Sequence, residues 1–161
     1  MMNVGLIGCG HISETYFRSQ KYFNNINIIA CSDLNSEAAK QCSEIYKIES
    51  KTVDDILNDK KIDIILNLTN VQSHFETIKK TLLAGKHSYC EKPLSITFEQ
   101  GKELYELAKK NNLYLGNAPD TFLGGGGQKT RSIIDSGDVG KIILGNFIFA
   151  FPGVEPWHPS P

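Results

Sequence analysis

What the chain lacks narrows its function first. Among 161 residues, 17 basic side chains stand against 18 acidic ones, for a formal net charge of −1. A surface built to hold nucleic acid or an anionic membrane needs an excess of Lys and Arg, so neither partner is expected. No apolar stretch reaches the roughly eighteen residues of a transmembrane helix, and the first residues have neither the basic start nor the small-residue cleavage site of a secretory leader. A soluble, cytoplasmic protein is the expectation. The four cysteines, Cys9, Cys31, Cys42 and Cys90, contain no C-x-x-C pair, the spacing that metal sites and redox motifs use. They read as buried reduced thiols, with Cys9 open to alkylation if nothing occupies the glycine-rich stretch around it. No internal repeat is visible.

What is present is alternation. Val4 to Ile7 is a short apolar run ending at glycines, the pattern of a strand covered on both faces. A helix is predicted from about His11 to Phe23, a strand over Ile26 to Cys31, a polar helix from about Ser36 to Tyr46, and a shorter unit around Thr52 to Asn58. Ile62 to Leu68 is the clearest strand. Ser73 and Glu76 form an S-x-x-E capping box for a helix ended by Gly85, and His87 to Cys90 is a further strand. Thr97 and Gln100 make a second capping box ahead of a helix over Phe98 to Lys110, before a last short strand, Leu113 to Leu115. Strands alternating with helices imply right-handed crossovers and an α/β fold with a doubly wound parallel sheet, whose ligands lie beyond the carboxyl ends of the strands.

The pattern changes at Gly116-Asn117-Ala118-Pro119, which places a domain boundary at 119. Beyond it come the glycines 124 to 127, a helix from about Gln128 to Ser136 and a turn at Gly137 to Gly140. Ile142 to Phe151 alternates Phe147, Phe149 and Phe151 with Asn146, Ile148 and Ala150, the period of an antiparallel strand. Residues 120–161 therefore read as the beginning of a second, α/β domain, incomplete at Pro161. Open strand edges invite pairing, so this strand is expected to pack on the 128–136 helix, on the first domain or, by preference, on its own copy in a homo-oligomer.

The residues that carry chemistry begin at Gly8-Cys9-Gly10-His11-Ile12-Ser13, which meets two-thirds of G-x-G-x-x-G. In a dinucleotide fold the first glycine permits a tight turn, the second admits backbone to the pyrophosphate, and the third lets the helix pack closely. Gly8 and Gly10 supply the first two. Ser13 holds the third place with a small side chain whose hydroxyl is within reach of a phosphate, and the helix starting near His11 and Ile12 directs its N–H groups there. Asp33, twenty-three residues past Gly10 at the end of the second strand, stands close to the spacing at which an acid takes the adenosine ribose hydroxyls. A carboxylate there repels a 2′-phosphate, and Leu34 and Asn35 offer no arginine, so NAD is favoured over NADP. The plainer alternative is a strand-to-helix turn with Asp33 as a helix cap.

The opening loop, Glu91-Lys92-Pro93 after the fifth strand, and the segment Ala118-Pro119-Asp120-Thr121-Phe122-Leu123-Gly124-Gly125-Gly126 together resemble the Gfo/Idh/MocA oxidoreductases, across essentially the whole chain. The resemblance implies a Rossmann NAD-binding domain and hydride transfer between nicotinamide and a hydroxyl-bearing carbon of a sugar or cyclitol. It implies that Lys92 is the active-site lysine. An ammonium beside the reacting oxygen stabilises alkoxide character and orients the hydroxyl. Glu91 then faces the nicotinamide or orients the lysine, and a cis bond at Pro93 would fix the turn. Thr69, Asn70 and His74 form a further candidate cofactor wall, without the proline the family often has after the threonine. His74 is balanced between that role and a solvated or capping one. The family's catalytic histidine and its aspartate have no counterpart in this chain. His158, among three prolines, reads equally as part of a substrate loop or of an extended tail. The rival to a dehydrogenase is a non-catalytic NAD-binding module; a methyltransferase shares the glycine loop and acid but gives no reason for Glu-Lys-Pro.

Overall fold

The computed structural model describes residues 1–153. The chain divides into two compact units, Met1–Pro119 and Asp120–Pro161.

The first unit is a sheet of six parallel strands. They are β1 (Met2–Ile7), β2 (Ile26–Ser32), β3 (Glu49–Ser50), β4 (Ile64–Asn67), β5 (His87–Cys90) and β6 (Leu115–Asn117), in the spatial order β3-β2-β1-β4-β5-β6. Helices α1 (Ser13–Ser19), α2 (Ser36–Tyr46), α3 (Val53–Asn58), α4 (Val71–Leu83) and α5 (Phe98–Lys110) make the crossovers. This is the doubly wound Rossmann arrangement, and its strand order reverses between β1 and β4, where a crevice opens.

Successive β1 side chains face opposite sides of the sheet and both sides are apolar. Val4 and Leu6 join Phe17, Ile28, Cys31, Leu66 and Leu68 in one core cluster. Ile7 joins Ala30, Ile56, Ile62 and Ile65 in another. A third, Ile78, Leu82, Cys90, Leu104 and Ala108, seats α4 and α5 on β5. Leu6, Ile56, Ile65, Ile78, Leu82 and Leu104 are fully buried, each contributing about 1.5–3 kcal/mol of apolar burial.

Several boundaries differ from the sequence reading. The first helix stops at Ser19 and tightens into a 3-10 turn, Gln20–Tyr22, because the Gln20 side chain turns back to accept the Ile28 N–H at 2.6 Å. The Ser73–Glu76 capping box does not form. Asn70 caps α4, accepting the Ser73 N–H at 3.0 Å, which puts Ser73 inside the first turn. The Thr97–Gln100 box is present in both directions. The last strand of the sheet lies two residues later than expected, after Asn112 turns the chain at φ 54°. Glu49–Ser50 is a strand that the pattern does not show.

In the second unit, α6 runs Gly125–Ser136, three residues earlier than predicted, and ends at Gly137 in the left-handed conformation. The predicted strand over Ile142 to Phe151 is not formed. Its period-two character survives, since the Phe147 and Phe149 rings stack at 6.4 Å and Phe149 meets Phe151 at 5.0 Å. It has no hydrogen-bonded strand partner among the described residues, and Ile143, Phe147 and Ile148 are each at least 87% exposed.

Candidate functional site

The loop after β1 is shaped by a glycine at which any side chain would be strained. Gly8 has φ +104°, and a Cβ there would lie 2.6 Å from the Leu68 carbonyl group on the neighbouring strand's exit. Gly10 is different: a Cβ on it would meet nothing within 4 Å. No protein atom demands glycine at that position, which suits a backbone that a ligand approaches. Ser13 is buried and its hydroxyl donates to the Gly10 carbonyl at 2.7 Å. Its visible part is to close the turn, with the hydroxyl committed inside the loop. His11 and Ile12 are exposed on the loop's outer shoulder.

Asp33 follows β2 directly. Its Oδ2 accepts the Cys9 N–H at 2.7 Å and its Oδ1 accepts the Asn35 N–H at 2.8 Å. It is not the cap of α2, which is Asn35, accepting from Glu37 and Ala38. Gly8, Gly10, Asp33, Thr69 and Asn70 line one crevice of about 610 Å³ at the carboxyl ends of β1, β2 and β4. Gln72, Ser73, Glu76, Thr77 and Lys80 of α4 form one further side of it, and Thr52, Val53 and Asp54 at the start of α3 another. A dinucleotide needs a bare backbone for its pyrophosphate and an acid for its ribose; Gly10 and Asp33 supply both on one concave surface.

The exits of β4, β5 and β6 are tied together by side chains that the sequence reading passed over. Asn67, fully buried at the end of β4, accepts the Thr69 N–H at 3.1 Å and hydroxyl at 2.7 Å through Oδ1, and donates to the His74 carbonyl. Asn117 Nδ2 donates to the carbonyls of Cys90 and Glu91 at 3.0 and 2.9 Å. Glu91 accepts from the Tyr16 hydroxyl of α1 at 2.7 Å and from the Lys92 N–H at 3.1 Å. The only hint in the sequence was the polar residue ending each apolar run.

Lys92 is exposed and joins none of the ion pairs among the described residues. The Lys92–Pro93 peptide is cis. His74, expected on the cofactor wall, is 1% exposed and absent from the crevice lining. Its Nδ1 lies 2.6 Å from the Pro93 carbonyl oxygen and its Nε2 3.0 Å from that of Thr69. His158 lies outside the described residues.

The four cysteines are free thiols. Burial, with Glu91 adding to it, pushes Cys90 up to about 12. The Cys9 thiol is raised by a hydrogen bond with Cys31 and by burial, so neither sulfur is poised as a nucleophile. No group of three or more His, Cys, Asp or Glu among the described residues is placed to hold a metal ion. No helix there is long and apolar enough to cross a membrane.

Residues 2–118 match the model of the family described as "Oxidoreductase family, NAD-binding Rossmann fold". D-xylose dehydrogenase from Paenarthrobacter nicotinovorans is 32% identical over 111 residues, 68% of this chain and 29% of that one. Myo-inositol 2-dehydrogenase from Thermotoga maritima is 25% identical over 142 residues, 87% of this chain and 42% of its own. The chain thus spans less than half the length of these curated relatives. The solved structure of biliverdin reductase from Synechocystis, in complex with biliverdin and NADP+, shares the fold at TM-score 0.75 and 24% identity, over 83% of this chain and 43% of that one. The nucleotide class these comparisons support is NAD(P). With a six-stranded parallel sheet, a Gly8–Gly10 loop facing Asp33, and a family match over nearly all of the first unit, the chain belongs to the Gfo/Idh/MocA oxidoreductases by its NAD-binding Rossmann domain.

Proposed function

We propose that the chain binds NAD, in preference to NADP, and serves the interconversion of a hydroxyl and a carbonyl on a sugar or cyclitol. The observation that carries this reading is the crevice shared by Gly8, Gly10, Asp33 and Thr69, with Glu91 and Lys92 at the exit of β5, the strand next to β4. Asp33 offers its carboxylate to the adenosine ribose diol and disfavours a 2′-phosphate by charge. Gly10 leaves backbone open to the pyrophosphate, with His11 and Ile12 beside it. Thr69 and Asn70 flank the nicotinamide half. The dinucleotide supplies hydride exchange at nicotinamide C4. Lys92 orients the substrate hydroxyl and stabilises negative charge on its oxygen as the C–H bond is broken. Glu91, held by Tyr16, keeps the lysine's loop in place.

The sugar or polyol assignment rests on the named activities of the relatives. Within the same reading, residues 120–161 begin a substrate domain, the apolar 142–151 segment pairs with other β structure or with a second copy, and the location is cytoplasmic. Calorimetric titration with NAD and NADP, followed by an assay of NAD reduction over a panel of polyols, tests it. Tighter NAD binding with turnover of a polyol is expected. Binding without turnover would make the chain a dinucleotide-binding module, and no binding of either nucleotide would remove the reading.

A further inference from the structure

His74 is placed as no cofactor ligand would be. It lies in the first turn of α4, buried to 1% exposure, and its ring spans two carbonyl oxygens from two different loops: Thr69 after β4 and Pro93 after β5. Thr69 lines the dinucleotide crevice. Pro93 follows Lys92 directly. Carbonyl oxygens only accept hydrogen bonds. The ring therefore donates to both loops, or donates to one while its second nitrogen sets the closest approach of the other. In either case a rigid five-membered ring fixes the spacing between the two carbonyls. The residue is itself anchored, because its own carbonyl accepts from Asn67, whose Oδ1 in turn holds the Thr69 N–H and hydroxyl.

We propose that His74 is a positioning residue that couples the Thr69–Asn70 wall to the Lys92 loop, so that a dinucleotide settling against the wall sets the placement of Lys92. This rests on the reading of the crevice as a dinucleotide site. The coupling acts through two contacts on opposite sides of one ring, so the ring itself never contacts cofactor or substrate.

The test uses two variants, His74→Phe, which keeps a buried ring and loses both polar contacts, and His74→Gln, whose single amide nitrogen cannot reach both carbonyls. The first readout needs no ligand: amide hydrogen exchange at Thr69, Glu91 and Lys92, whose N–H groups are bonded to Asn67 Oδ1, the Asn67 carbonyl and Glu91 Oε2. Both variants should exchange faster at all three amides, with amides of the β1–β4 pairing unchanged. Unaltered exchange in a folded variant would overturn the proposal. The second readout is the amide NMR response to ADP-ribose, which lacks the nicotinamide and so cannot touch the Lys92 loop directly. In the parent, ADP-ribose should shift the amides of residues 69, 70, 91, 92 and 94; in both variants only those of 69 and 70 should move. A parent response confined to 69 and 70, or a variant response that still includes 91, 92 or 94, would overturn the coupling. If ADP-ribose leaves all amides of the parent unmoved, the dinucleotide reading falls, and the coupling proposed upon it falls too; the exchange data then report the two ring contacts alone. If His74→Phe fails to fold, His74→Gln carries both readouts.

Discussion

The backbone N–H of Cys9 donates to Asp33 across 2.7 Å, joining the glycine loop of β1 to the acid that ends β2. One carboxylate therefore shapes the glycine loop and lines the crevice beside it. Replacing Asp33 with Ala should weaken NAD binding by about 1–3 kcal/mol, the size of a lost charge-assisted hydrogen bond, and should narrow the preference over NADP. Calorimetry with both nucleotides checks this; unchanged NAD affinity would remove Asp33 from the site.

The two loop glycines separate stability from binding. Gly8→Ala meets a positive φ and a backbone contact at 2.6 Å, so it should cost about 1–3 kcal/mol from the torsion alone. Thermal unfolding reads that loss. Gly10→Ala meets no protein atom within 4 Å, so its melting temperature should stay near the parent's while dinucleotide affinity falls. A Gly10→Ala protein that binds as the parent does would mean that the crevice does not take a pyrophosphate there.

Lys92 should matter to chemistry and little to cofactor affinity. In the whole gene product, Lys92→Ala should lower kcat by roughly 10²–10³, the usual loss on removing one charge-stabilising donor, with NAD affinity nearly intact. Full turnover in the variant would exclude the lysine from the mechanism.

Stability should fall in acid through a definite pair. Lys51 Nζ lies 2.5 Å from Asp59 Oδ2 and 2.9 Å from Glu49 Oε2. The Lys51 ammonium, with the Lys61 N–H, holds the Asp59 carboxyl below its ordinary 3.8. A carboxylate whose folded pKa is depressed contributes its full share above the unfolded value and loses it as pH falls through the folded one. The melting temperature should therefore decline below about pH 4, and Asp59→Asn should flatten that decline. An identical acid slope in the variant would place the sensitivity elsewhere.

The exposed phenylalanines of 142–151 should govern association. Light scattering across a dilution series should show a concentration-dependent oligomer that Phe147→Asp with Phe149→Asp disperses. A monomer at every concentration, with no gain in solubility from the charges, would remove the pairing role of this segment.

What was legible in the sequence was what a short window contains. Alternating apolar strands and capped helices are local patterns, so the parallel sheet could be read from them, as could the Gly8–Gly10 turn. The start of α4 was misplaced because Asn70 and Ser73 are both good caps three residues apart, and the choice between them lies in backbone geometry. The 142–151 segment has the period of a strand, yet a strand is made by its partner and not by its own alternation. The bonds that knit the strand exits, Tyr16 to Glu91 across 75 residues and Asn117 to Glu91 across 26, join positions with no local relation. Likewise the burial of Lys86, whose ammonium donates to the carbonyls of Asp59 and Ile62 at 2.7 Å each, follows from packing that no hydropathy window shows.

The strand order has a consequence for how the sheet assembles. Val4 pairs with Ile28, 24 residues along the chain, and with Ile64, 60 residues along. Closing the longer loop costs about 0.8 kcal/mol more in chain entropy, so the β1–β4 seam is an expensive junction between the sheet's two halves. The crevice lies over that seam. A ligand seated there bridges the half built from β1–β3 and the half built from β4–β6, and opposes their separation by an amount that grows with the logarithm of its concentration above Kd.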